Sequence, residues 1–132
     1  TYRQHFDATT DPDMQLAAFC TGPAIRSPFN NIITEAVGTF MLVFGVMMMA
    51  SPQASLGTLN ALPAALLLFG IGLSLGGPTG FAVNPARDLG PRIMHAILPM
   101  TNKRDSDWGY AYVPVVGGII GGLIAAVVYS ML

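Results

Sequence analysis

Along this chain, long apolar runs alternate with short polar breaks. Residues 32–50, IITEAVGTFMLVFGVMMMA, carry one charge, Glu35. At a 1.5 Å rise per residue they extend about 28 Å, one bilayer core. The uncharged SPQASLGT, 51–58, reads as a turn. A second run, LNALPAALLLFGIGLSLG, covers 59–76 and holds Pro63 in its first turns, where a missing amide is best tolerated. A third, YAYVPVVGGIIGGLIAAVVYSML, covers 110–132, with Trp108, Tyr110 and Tyr112 at its start as in an interfacial aromatic belt. Buried helices of a soluble protein are the alternative, but three such lengths in 132 residues predict three transmembrane helices. GGIIGG, 117–122, sets small residues four apart, so that Gly117 and Gly121 share a face, as do Gly118 and Gly122, which permits close helix contact in a membrane.

Between the second and third runs the pattern changes. Asn84 is a favoured helix N-cap and Pro85 suits the first helical position, so NPARDLGPRIMHAIL opens a helix whose apolar character fades near Pro99. Gly90 and Pro91 are expected to weaken or bend it, and it is too short to cross a bilayer. The preceding GGPTGFAV is too rich in Gly and Pro for regular helix. Non-helical backbone at membrane depth persists only where protein buries it or where it lines a watery cavity. The stretch 77–97 therefore reads as a re-entrant loop plus half-helix lining a polar path. The alternative is one extramembrane loop over 77–109.

Residues 1–29 are polar and read as an extramembrane loop ahead of a membrane unit at 30–132. Asp7, Asp11 and Asp13 lack the ligand ladder and glycine turn of a Ca²⁺ loop, so a solvated segment is expected. Only 10% of residues are charged, against about 25% in soluble domains, and 52% are hydrophobic. A net charge of −1 gives no basic surface for nucleic acid. The lone Cys20 excludes an intrachain disulfide. The polar start at Thr1 shows no signal-peptide pattern and reads as a fragment without its natural N-terminal part. The expected fold class is an all-α membrane protein with three transmembrane helices and one re-entrant half-helix.

The run GFAVNPARD resembles the second signature of the major intrinsic proteins, the aquaporins and glycerol facilitators. The resemblance covers nearly the whole chain and implies the second half of that fold; the first half, with its own Asn-Pro-Ala, is not in this sequence. It implies that the Asn84 carboxamide oxygen caps the half-helix while its NH₂ faces the pore. Arg87 matches the filter arginine, a permanent cation with several donors. The carbonyls of Gly80, Phe81 and Ala82 become the acceptors opposite. Gly72 matches the filter position where water-only channels carry His, and Phe81 the aromatic wall for a polyol's carbons. Asp88, Arg92, Pro114 and Val115 match positions that favour glycerol conduction. Facilitators carry an aromatic residue in the outer loop that has no evident counterpart, although Phe19 and Thr21 lie nearby. Glu35 matches a glutamate that accepts hydrogen bonds from the re-entrant backbone. A proton relay is the sharper reading of a lone intramembrane acid, but no second acid lies in any span.

A rival reading exists. GLSLG, 72–76, fits the G-x-S-x-G nucleophile elbow, so Ser74 with His95 or His5 as base would make an intramembrane serine hydrolase. An elbow follows a strand, and here an apolar helix-length run precedes it. Charge raises a separate conflict. Arg3, Arg26, Lys103 and Arg104 share one side of the three-span arrangement, which the positive-inside rule makes cytoplasmic and the family resemblance makes external. The family orientation is preferred, because earlier spans usually set it. The expected function is a passive, cofactor-free channel, and not an enzyme, in the plasma membrane. It conducts glycerol, related small uncharged solutes and water, excludes ions and protons, and works as a homotetramer in the lipid bilayer.

Overall fold

The computed structural model describes residues 3–49 and 55–132, and every regular element among them is helical. In chain order these are α1 (Arg3–Ala8), α2 (Pro12–Ala17), α3 (Pro28–Met49), α4 (Leu62–Leu75), α5 (Pro85–Ile97) and α6 (Tyr112–Ser130), with a 3₁₀ turn at Gly57–Leu59 before α4. Three helical segments are long and apolar enough to cross a membrane: Pro28–Met49, Gly57–Leu75 and Tyr112–Ser130, with mean hydropathies of 1.9, 1.8 and 2.0. The chain is an integral membrane protein of all-α class.

Helix boundaries differ from the apolar runs for local reasons. α3 starts at Pro28, four residues before its apolar run, because a proline at the first position costs no amide bond and the Ser27 carbonyl accepts from Asn31 N–H at 2.8 Å. The expected end at Ala50, and most of the turn that follows, lie outside the described residues. α4 begins at Leu62, with Pro63 in its first turn. Residues 3–29 are more regular than their polarity suggested. Asp11 accepts from the Asp13 and Met14 amides, and with Pro12 at N1 it starts α2. α5 runs through Gly90 and Pro91 as one helix, where a weak point was expected.

Glycines set the core between α3 and α6. A Cβ on Gly121 would lie 2.2 Å from the Ala36 carbonyl oxygen and 2.9 Å from Phe40 N. One on Gly117 would lie 2.5 Å from Glu35 Cβ. The two helices touch backbone to backbone through this stripe, whereas Gly122 has nothing within 4 Å. Gly118 receives Pro85 at the start of α5, and Gly38 on α3 makes room for Val83. The α3–α6 pair is thus the frame on which the segment before α5 is hung.

The four cations outside the helical frame meet partners at one end of the molecule. Arg3 pairs with Asp7, Arg26 with Asp107, and Arg104 with Asp13. Lys103 Nζ donates to the carbonyls of Ala96 and Leu98, the last turn of α5. Gln15 Nε2 donates to Thr101 O at 3.1 Å and Thr101 Oγ1 to Asp7 at 2.9 Å, which ties α1 and α2 to the segment after α5. Burial pushes the Cys20 thiol above its ordinary pKa, the main cause being desolvation.

Gly121→Val should force α3 and α6 apart, at about 1–3 kcal/mol or more. Gly122→Ala should be neutral. Thermal unfolding of the purified protein in detergent measures both, and equal behaviour of the two variants would contradict the close-contact assignment.

Candidate functional site

The segment between α4 and α5 is an unwound path with a strained backbone. Gly80, Phe81 and Val83 all have positive φ, at 78°, 61° and 41°. For a β-branched residue such as Val83 this is an outlier, of order 1–3 kcal/mol, and the surroundings must impose it. Gly80 also needs its missing side chain for space, since a Cβ there would meet the Gly22 backbone at 3.0 Å.

Glu35 pairs two of the segment's amides. Only 1% exposed, it reaches across from α3 and accepts from Val83 N at 2.6 Å and from Ala82 N at 3.2 Å. Thr39 Oγ1, one turn along α3, donates to the Val83 carbonyl at 3.3 Å. Earlier in the segment, the Pro78 carbonyl accepts from Ala24 N and from Asn31 Nδ2. α3 therefore holds the path at both ends. Among the described residues, no hydrogen bond ends on the carbonyls of Gly80, Phe81 or Ala82.

Asn84 caps α5. Its backbone is extended (φ −158°, ψ 119°) and its Oδ1 accepts from Ala86 N at 2.8 Å. With the oxygen committed to the helix, the NH₂ is the remaining polar group of an exposed side chain. Arg87 follows in the first turn and is also exposed. Gly72 on α4 and Phe81 are neighbours: a Cβ on Gly72 would meet Phe81 Cε1 at 3.1 Å and Cζ at 3.2 Å. Pro114 is fully buried and Val115 half-buried in the first turn of α6, away from any described polar contact.

Asp88 and Arg92 belong to a different cluster, behind the half-helix. Both are fully buried. Arg92 donates through Nε to Asp88 Oδ2 and through Nη2 to Oδ1, each at 2.8 Å. Its Nη1 reaches the carbonyls of Ser106 (2.6 Å) and Asp107 (2.9 Å), and Nη2 also reaches Thr21 O at 2.8 Å. All five guanidinium N–H groups thus have acceptors. Asp88 Oδ1 further accepts from Thr21 N at 2.8 Å and Thr21 Oγ1 at 2.6 Å. One turn on, His95 Nδ1 lies 2.8 Å from Ser106 Oγ. The sequence reading missed Thr21 and Ser106 as partners. The available signal was the spacing 88, 92, 95, which puts three polar residues on one helix face while Ile93, Met94 and Ile97 point outward.

Ser74 does not meet a nucleophile's requirements. It lies within α4, with no strand before it, and its Oγ donates to the Gly70 carbonyl of its own helix at 2.9 Å. Of its two candidate bases, His95 is buried against Ser106 and His5 sits exposed on α1. No group of His, Cys, Asp and Glu among the described residues is arranged to hold a metal ion.

Comparison with known proteins agrees with this architecture. The model of the Major intrinsic protein family matches residues 6–129. A probable glycerol uptake facilitator protein of Thermotoga maritima is 53% identical over 132 residues, covering 100% of this chain and 56% of the relative. Glycerol uptake facilitator protein 3 of Lactiplantibacillus plantarum is 50% identical, covering 99% of this chain and 54% of the relative. A D/L-lactic acid transporter of the same organism is 44% identical over 95% of this chain and 53% of its own length. The chain thus spans about half the length of the curated relatives it matches.

Two sets of variants test these supports. Glu35→Ala strands two buried amides, at about 1–3 kcal/mol each, whereas Glu35→Gln keeps one acceptor. The alanine variant should therefore melt lower than the glutamine variant. Arg92→Met leaves the Asp88 carboxylate buried without its partner and should cost about 3–5 kcal/mol. Asp88→Asn with Arg92→Met should recover part of that loss. Equal melting temperatures for Arg92→Met and the double variant would refute the pairing energetics.

Proposed function

The chain belongs to the major intrinsic protein family, and from that premise we propose that it forms the C-terminal repeat of a passive channel for glycerol and related small uncharged solutes, and for water. Residues 30–132 form this repeat behind an extramembrane segment at 1–29. No cofactor takes part. The observation that carries the reading is the pairing of Gly72 with Phe81 beside an unwound segment pinned by Glu35. In this reading the carbonyls of Gly80, Phe81 and Ala82 accept hydrogen bonds from passing hydroxyls, and Asn84 and Arg87 donate to them. Phe81 supplies an apolar wall for carbon, and glycine at position 72 lets its ring lie back against α4, which widens the path. The names of two relatives, glycerol uptake facilitators, support the solute class.

The chemistry follows from desolvation. A hydroxyl stripped of water without a new partner costs roughly 2–7 kcal/mol, so donors and acceptors must line the path continuously. A permanent Arg87 cation repels other cations, protonated water included. Selectivity against ions thus comes from a fixed charge and a path too narrow for an ion's hydration shell, with no chemical step. The assembly is a homotetramer with one pore per subunit, in the plasma membrane, with the basic end outside.

The test is flux in proteoliposomes carrying this chain joined behind the first half of the Thermotoga maritima relative. Gly72→His should lower glycerol permeability relative to water by about tenfold or more, equivalent to about 1.4 kcal/mol of added barrier. Adding Phe81→Cys should restore room for water and leave glycerol slow. An unchanged glycerol-to-water ratio in Gly72→His would remove position 72 from the constriction.

A further inference from the structure

Two buried side chains behind α5 each end in a polar atom that meets no protein partner among the described residues: Gln15 Oε1 and His95 Nε2. Gln15 is 1% exposed and His95 0%. The orientation of the Gln15 amide is set by its nitrogen, which donates to Phe6 O at 2.8 Å, Thr9 O at 2.9 Å and Thr101 O at 3.1 Å. Reversing the amide would press an oxygen against three carbonyls, so Oε1 is the end left over. The His95 ring is likewise anchored at one nitrogen, by Ser106 Oγ.

The two side chains have neighbours in common. The Phe19 ring lies 5.5 Å from the His95 ring and 5.4 Å from that of Phe6, whose carbonyl Gln15 binds. The segment after α5 touches both residues, through the Thr101 carbonyl on Gln15 and through Ser106 on His95. The large majority of buried polar atoms in native proteins are paired, and where protein does not reach, ordered water commonly does.

We propose that this compartment, enclosed by α1, α2, the end of α5 and the segment after it, is a binding site for one water molecule that joins Gln15 Oε1 to His95 Nε2. The donor and acceptor requirements select the ligand. Gln15 Oε1 only accepts, so the ligand must donate to it. His95 presents either N–H or a lone pair at Nε2, with the Ser106 hydroxyl complementing whichever tautomer is present. An anion has no proton for Gln15. A cation meets Arg92 one turn back and Lys103, which caps the end of α5. Water satisfies both atoms and remains neutral. It links α2 to α5 and steadies the segment whose Ser106 and Asp107 carbonyls hold Arg92. The site is independent of the proposed permeation path.

The experiment is a density map of the purified protein, by crystallography or electron microscopy, at a resolution where other buried waters are visible. The expected result is a single peak within hydrogen-bonding distance of both Gln15 Oε1 and His95 Nε2. In His95→Phe the peak should be lost while the Gln15 amide stays on its three carbonyls. In His95→Gln, whose amide offers a polar end to the same space, the peak should remain. An empty gap in the wild-type map, a direct bond between Gln15 and His95, or a peak unmoved in His95→Phe would each overturn the proposal. The wild-type map decides the matter even if a variant fails to fold.

Discussion

Buried unwound backbone cannot stand with its amides unpaired, and at Ala82 and Val83 the Glu35 carboxylate meets that constraint. It accepts from the Ala82 and Val83 amides, next to residues whose positive φ would otherwise relax. The acid itself is tolerable only because of these bonds, since a lone carboxylate in hydrocarbon costs several kcal/mol. Each component therefore depends on the other. Glu35 can reach the segment because α3 and α6 approach without side chains between them at Gly117 and Gly121, and because Gly38 leaves room for Val83. A stripe of glycines thereby fixes the position of two amides on a different part of the chain.

The outer cluster follows the same logic at the other face of α5. This half-helix is inverted relative to a soluble one: Asp88, Arg92 and His95 are buried, while Ile93, Met94 and Ile97 are exposed. A buried ion pair on its own stabilises little, because desolvation offsets attraction. Here the guanidinium also fills every donor by binding the Thr21, Ser106 and Asp107 carbonyls. Those carbonyls come from segments before α3 and after α5. The pair thus gathers irregular chain that has few apolar contacts of its own.

The membrane helices were legible because their signal is long and one-dimensional: three apolar runs, with Asn84–Pro85 marking a fourth start. Their ends were less so. Pro28 lies outside the apolar run yet begins α3, since a proline start is decided by one residue's geometry and not by hydropathy. α1 and α2 were hidden for a related reason. At six residues each they are too short for periodicity, and they stand through Asp11, Gln15 and Thr101. Nor could spacing alone show that Thr21 meets Asp88, sixty-seven positions away, or that Ser106 meets His95. Gly72 and Phe81 are near enough in sequence to suggest a relation, but their contact depends on how the segment at 76–83 turns back on α4.

Under the proposed function, that turn bears on how one short segment serves a solute that is half carbon and half hydroxyl. In regular helix, carbonyls point along the axis to amides of the next turn and are consumed there. Unwinding releases them, and starting a helix immediately afterwards supplies unspent donors. The sequence from Gly80 to Arg87 does both within a few residues: no described bond ends on the Gly80, Phe81 or Ala82 carbonyls, and Asn84 and Arg87 are exposed at the helix start. Phe81 contributes to both sets, its carbonyl among the acceptors and its ring an apolar surface against Gly72. Under the proposed function, the strain at Phe81 and Val83 is what separates acceptors, donors and apolar wall into distinct sides. The bonds to Glu35 hold that separation in place.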